Sequence, residues 1–174
     1  MASGLAGLPE GFSIRPAVPA DVPVILRFIR ALAEYERLSH EVSATVDRLH
    51  ETLFGSVPSA EVVLGEHRGE PVAFALFFRN YSTFLARPGI HLEDLFVLPE
   101  FRGRGIGKAL LIHLARVAVD RECGRLEWQV LDWNGPALGF YRSVGAVPMS
   151  DWTTMRLVGE PLARLAGGVR QEEL

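Results

Sequence analysis

Glu93-Asp94-Leu95-Phe96-Val97-Leu98-Pro99-Glu100-Phe101-Arg102-Gly103-Arg104-Gly105-Ile106-Gly107-Lys108 sets an apolar strand with an acid at its start before three alternating glycines and an apolar-periodic helix that opens near Ile106. Glycines at these places remove side chains where backbone N–H groups must approach an anion. The unpaired N–H groups and positive dipole end of the following helix favour phosphate. Arg102, Arg104 and Lys108 add positive charge, which is unfavourable at a helix start unless an anion is bound. The pattern predicts a pocket for a phosphorylated ligand with a base beside it.

Two phosphate motifs fail here. A nucleoside-triphosphatase loop needs Gly-Lys followed by Ser or Thr, whereas Gly107-Lys108 precedes Ala109 and the glycine spacing is wrong. A dinucleotide fingerprint needs glycine at its sixth place, which counted from Gly103 is Lys108. Arg102 to Gly107 does fit Arg/Gln-x-x-Gly-x-Gly/Ala, the pyrophosphate loop of the GCN5-related N-acetyltransferases (GNAT), and the chain resembles that superfamily.

Composition is compatible with one such domain. The 174 residues are 48% hydrophobic, enough for a single core. A net charge of -3 and a pI near 6.0 give no basic field for nucleic acid. The lone Cys123 excludes an intramolecular disulfide framework, and the start lacks the basic residues and apolar run of a signal peptide. No apolar run approaches the ~20 residues that cross a bilayer. The expectation is a cytoplasmic, membrane-free protein. The histidines show no ligand spacing with one another or with Cys123, so no metal is expected.

Along the chain, residues 1–11 read as a flexible lead-in, 12–166 as a single domain and 167–174 as a frayed tail. Residues 12–15 alternate as a strand. Asp21 is a candidate N-cap for a helix to about Tyr35, and Thr45 or Ser43 caps a second over 43–53. Apolar runs at 60–65 and 71–78 flank a polar turn, a hairpin signal. Residues 81–89 read as a loop, 90–97 as the key strand, 106–121 as the strongest helix, 126–131 as a strand and 136–143 as a short helix with Pro136 in its first turn. Residues 146–149 and 154–158 read as two last strands. The order predicts a mixed α/β or α+β sandwich. The resemblance implies the GNAT fold itself: a mixed, mostly antiparallel sheet with splayed fourth and fifth strands and helices on both faces.

Within the superfamily the chain looks like the diamine (spermidine/spermine) and thialysine N-acetyltransferases. Ile14-Arg15-Pro16-Ala17 with Asp21, then Leu32-Ala33 and Tyr35-Glu36, match that family's opening. Leu92 to Val97 and the glycine loop match its middle, and Trp133-Asn134-Gly135-Pro136, Phe140-Tyr141-Arg142 and Gly145-Ala146 match its later segment. The resemblance implies acetyl transfer from acetyl-CoA to a small-molecule primary amine, in a homodimer with contacts after Gly145.

An alkylamine with a pKa near ~10.4 is a cation at neutral pH and must lose a proton before it can attack a thioester. By resemblance Glu93 is the base, acting through water, and Tyr141 the acid that protonates the leaving thiolate. Strand alternation puts Glu93 and Asp94 on opposite faces unless a bulge intervenes, which favours Glu93. The oxyanion donor is the backbone N–H of Phe96 or a neighbour. The resemblance implies that Leu95, Phe96 and Val97 bind the pantetheine arm and residues 102–108 the pyrophosphate, with Ile106 opening the helix. It also implies that Asn134 and Pro136 complete the cofactor set with Tyr141.

The polyamine-acetylating members carry an acid in the loop before the catalytic strand, whereas residues 81–89 here contain no acid and one arginine. Glu36 matches a retained family acid. Arg87 is therefore expected to meet a substrate carboxylate, as a lysine-like amine would present, giving Glu36, Arg87 and Glu93 as substrate-binding residues. His91, two residues before Glu93, shares its strand face, so either a proton relay or a packed histidine fits. A non-catalytic acyl-CoA sensor and an acetyltransferase of protein or peptide amines are the alternatives.

Overall fold

A computed structural model describes residues 8–167, so residues 1–7 and 168–174, which hold most of the expected lead-in and tail, lie outside it. The chain divides into two compact units after Gln129. In the first, β1 (Phe12–Pro16), α1 (Val22–Tyr35), α2 (Val46–Phe54), β2 (Glu61–His67), β3 (Glu70–Ser82), β4 (Arg87–Val97), α3 (Ile106–Asp120) and β5 (Leu126–Trp128) follow in order. The five strands form one sheet in sequence order. Neighbours are antiparallel up to β4, and β5 lies parallel to β4.

Period-two alternation sorts the strand residues between two helical layers. Val62, Leu64, Phe74 and Phe96 pack with Val22, Ile25, Leu26 and Phe28 of α1 and with Leu49 and Leu53 of α2. Phe28 stacks on Phe74 with ring centroids 5.4 Å apart, a contact worth roughly 0.5–1.5 kcal/mol beyond its buried area. The opposite face takes α3, whose Ile106, Leu110 and Leu114 are buried. Helices thus cover both faces, and the mixed sheet matches the GNAT expectation.

The β2–β3 hairpin closes on Arg68 and Gly69, both at positive φ (53° and 84°). This is the signature of a primed two-residue turn whose twist suits the flanking strands. The polar turn read at 66–70 is therefore mostly strand. Thr45 caps α2 by accepting from the Arg48 amide at 3.2 Å, so that helix begins later than expected. Asp21 precedes α1, but its carboxylate does not cap the helix. It accepts instead from the Val18 amide at 2.8 Å and from both terminal nitrogens of Arg15. Arg15 also donates to Glu66, so the cluster ties β1 and β2 to the start of α1.

Two expectations at strand level fail. Residues 81–89 are not a loop: β3 runs to Ser82, β4 starts at Arg87, and Ser82 pairs with Arg87. The second unit, from Val130, contains α4 (Gly135–Ser143) and α5 (Gly159–Ala166), while residues 146–149 and 154–158 form no strand. Their alternation supplies side chains for a sheet, but a strand also needs a hydrogen-bonding neighbour, and none pairs with them among the described residues.

Hydrogen bonding to Arg15 is the main cause that holds the Asp21 carboxyl below its usual range. Its stabilisation is present above the unfolded carboxylate pKa and is lost as pH falls through the folded value. Asp21→Ala should cost about 1–3 kcal/mol at pH 7 by urea denaturation. The gap from wild type should close as the medium is acidified below that range.

Candidate active site

β4 pairs with β3 along its length but with β5 only at Ile90↔Leu126, His91↔Glu127 and Leu92↔Trp128. From Glu93 onward its second edge meets no strand within this unit. The Leu98 amide donates to the Val72 carbonyl at 3.0 Å, and the Val97 carbonyl accepts from Arg102 Nε at 2.9 Å rather than from β3. Alternation then turns the Phe96 amide toward β3 and the Leu95 and Val97 amides toward the open edge. The Phe96 amide is thus spent on β3, while those of Leu95 and Val97 are not.

The register between β3 and β4 slips at one place. Leu76 faces Asp94 and Phe77 faces Leu92, so Glu93 is an extra residue on β4, a β-bulge. His91 lies opposite Phe78, and Asp94 opposite Leu76. Phe78 and Leu76 are two apart and share a face, so His91 and Asp94 share it too. Leu76 packs on the core beneath α1 and α2, which identifies the face. The Glu93 carboxylate reaches the same side, with Oε2 3.6 Å from His91 Nε2. The expectation that alternation separates Glu93 from Asp94 is thus overturned by the bulge.

Asp94 is half-buried, and its carboxyl is pushed up to about 6, first by burial and then by the charges of Glu93 and Glu36. Glu36, just beyond the end of α1, is itself raised by burial. Glu36, Glu93 and Asp94 therefore converge electrostatically, as a site for a cation would require. Glu36 and Glu93 were named from sequence. Asp94 was set aside because a single-residue slip leaves no mark in composition or periodicity.

At the C-terminal end of β4 the chain passes through a short 3-10 turn, Pro99–Phe101, into the glycine loop. Gly103 and Gly105 have φ of 73° and 77°, the left-handed region that other residues occupy at a cost. A Cβ on Gly103 would meet nothing within 4 Å, while one on Gly107 would sit 3.8 Å from Val97 Cγ2, an ordinary contact. Gly105 begins α3 with no side-chain cap, and no acid occupies the first helical turn. The first amides of α3 are thus left for an anion. Ile106 is buried and anchors the helix.

The three cations differ. Arg102 donates to Val97 and holds its guanidinium over the rings of Tyr35 at 4.7 Å and Phe96 at 5.3 Å, which fastens the loop to the end of α1. Tyr35 was not singled out from sequence in this role, because the contact joins residues distant in the chain. Arg104 lies over Phe101, and Lys108 is exposed. Arg87, at the opposite end of β4, is six residues from Glu93, ~20 Å along a strand. The two thus stand at separate places on β4. In the second unit Asn134 is buried, and its Oδ1 accepts from the Ala137 amide at 3.3 Å, so it caps α4. Pro136 lies in the first turn of α4, and Tyr141 is half-buried on that helix with its ring against Phe140.

The profile of the acetyltransferase (GNAT) family matches residues 27–146. The chain is similar to the thialysine N-epsilon-acetyltransferase of Bos taurus, 39% identical over 165 residues that cover 88% of this chain and 96% of that protein. It is also similar to an L-ornithine N5-acetyltransferase of Arabidopsis thaliana, 34% identical over 194 residues, covering 86% and 85%. Among solved structures, an integron cassette protein from the mobile metagenome of V. cholerae superposes with a TM-score of 0.76 at 24% identity, covering 91% of this chain and 99% of that one.

Gly105→Ala should cost about 1–2 kcal/mol from the left-handed backbone and weaken coenzyme A binding by calorimetry. Gly107→Ala, inside the helix, should be neutral or gain up to about 1 kcal/mol. Because the folded pKa of Asp94 is raised, its favourable contribution is present below the unfolded value and lost as pH rises through about 6. Asp94→Asn should therefore raise Tm at pH 7.5 and flatten the fall in wild-type stability between pH 4 and 7, read by thermal melts across that range.

Proposed function

Since the chain belongs to the acetyltransferase (GNAT) family and is an acetyl-CoA-dependent N-acetyltransferase, we propose that its acceptor is the side-chain amine of a small molecule, an amino acid such as thialysine or ornithine before a polyamine. The observation that carries this reading is the acidic face made by the bulge, where the charges of Glu93 and Glu36 both act on Asp94 beside the open amide edge of β4. An ammonium group is drawn to such a face, and the relatives' names specify thialysine and ornithine. Residues 81–89 provide no carboxylate for the remote ammonium of spermidine.

The residues present fit the co-substrate. Two left-handed glycines, with open space beside Gly103, and an uncapped helix start suit its pyrophosphate, with Arg104 and Lys108 adding charge. Bound acetyl-CoA supplies an acyl group whose leaving atom is a thiolate sulfur. Leu95 and Val97 hold the pantetheine arm as an added strand would and steady the carbonyl oxygen as it gains charge. Glu93 takes the ammonium proton through water, after which the amine attacks directly. The Tyr141 hydroxyl delivers a proton to the sulfur. Asn134 and Pro136 flank the arm.

The same reading makes residues 12–166 one acetyltransferase domain, in keeping with a family profile that runs across the division after Gln129. It places the enzyme in the cytoplasm, for which the lone cysteine is suited, and pairs it with a second copy. Val147, Met149, Trp152 and Met155 in the second unit are each at least 65% exposed, which supports a covering partner there.

The test is free-thiol release from acetyl-CoA with thialysine, ornithine, lysine, putrescine and spermidine. The amino acids should exceed spermidine in kcat/KM by roughly 10-fold or more, about 1.4 kcal/mol. Equal turnover would remove the amino-acid preference, and coenzyme A binding without turnover of any amine would favour the sensor. Glu93→Gln should lower kcat by about 10²–10⁴-fold, shift the rate profile to higher pH and leave acetyl-CoA affinity intact. Tyr141→Phe should lower kcat on the order of 10²-fold, and an unchanged kcat would assign leaving-group protonation to water.

A further inference from the structure

We propose that His91 is a positioning residue that carries protons for Glu93, receiving from it the proton lost by the acceptor ammonium and passing that proton to water. The inference rests on the reading of Glu93 as base. His91 Nε2 lies 3.6 Å from Glu93 Oε2, with the histidine side chain 19% exposed and the glutamate 56%. The imidazole is held against Phe78 with centroids 4.9 Å apart and planes 27° apart, so the less constrained partner is Glu93. A small rotation of Glu93 brings the pair to the ~3 Å of a hydrogen bond.

The bulge leaves this contact intact. It flips the alternation after Glu93 and so adds Asp94 to the face that His91 already occupies. The charged groups around the pair are Asp94 on β4, Glu36 beyond α1, and Glu127, the register neighbour of His91 on β5. Glu127 is engaged by Arg125 and by the Asn80 amide. Arg102 stands further along, over Phe96.

The proton balance closes without another reactant. The ammonium N–H bond breaks and a Glu93 O–H bond forms. That proton moves to His91 Nε2, which restores the carboxylate and gives an imidazolium. The imidazolium releases a proton to water and returns to imidazole. Histidine is the side chain whose ordinary titration falls in the pH range where such release is reversible.

The experiment compares kcat and kcat/KM for the amine against pH in wild type, His91→Phe, His91→Gln, Glu93→Gln and the double variant His91→Phe/Glu93→Gln. Phenylalanine keeps a ring against Phe78. Glutamine can donate a hydrogen bond to Glu93 but cannot carry the proton. Both His91 variants should lose roughly 10-fold or more in kcat and change the shape of the kcat–pH profile, with KM for acetyl-CoA within about twofold of wild type. Asp94→Asn, run in parallel, separates the ionisation of Asp94. His91→Phe should cost nothing further on the Glu93→Gln background.

Full activity in His91→Gln would reduce His91 to an orienting group and overturn the proposal, as would equal losses on both backgrounds. Wild-type rates in Glu93→Gln would remove the base reading and the relay with it. An impaired Glu93→Gln beside an unaltered His91→Phe would remove the relay alone.

Discussion

A strand inside a sheet normally spends the hydrogen-bonding groups of both edges on its neighbours. β4 does so only as far as Leu92, because its pairing with β5 stops at Trp128 while its pairing with β3 continues. That divergence leaves the Leu95 and Val97 amides pointing away from the sheet, in the same stretch where β4 turns into the glycine loop. Unspent edge amides and an uncapped helix start thus lie on one continuous piece of chain. The core underneath, from Phe28 and Phe74 to Ile106 and Leu110, keeps that piece in place.

The site is built from features that cost stability. Glu93 and Asp94 are neighbours in sequence on one face, and Glu36 adds a third carboxylate whose charge Asp94 feels. Gly103 and Gly105 hold left-handed backbone, and α3 starts without a cap or an acid. Each departs from what a stable strand or helix would choose, and their concentration between residues 93 and 108 is what a binding surface awaiting a cation and an anion requires. Arg102 works in the opposite direction. Its bond to Val97 and its place over Tyr35 and Phe96 tie the glycine loop to the end of α1, next to Glu36.

The glycine loop and the helix after it were legible in the sequence because they depend on local rules. Alternating glycines, flanking cations and the apolar stripe of residues 106–121 each have a direct backbone meaning, and the structure reproduces them in order. The acidic face depends on register, which is a property of two strands. Nothing in Leu92-Glu93-Asp94 distinguishes a bulge from a regular strand, so the pairing of Glu93 with Asp94 on one face was open to inspection only once β3 lay alongside. The same limit applies to Arg87: it reads as part of a loop, but it is the first residue of β4 and pairs with Ser82. Residues 146–149 and 154–158 alternate like strands, yet alternation says nothing about whether a neighbour exists to pair with them.

The proposal that the Leu95 and Val97 edge amides and residues 103–108 form one acetyl-CoA site has a specific signature in amide hydrogen exchange of the full chain with and without saturating coenzyme A, resolved at single residues by NMR. The Leu95 and Val97 amides should gain protection together with those of residues 103–108, while Phe96, already turned to β3, should change little. Coenzyme A binding that protects the loop but leaves Leu95 and Val97 exchanging as before would contradict it.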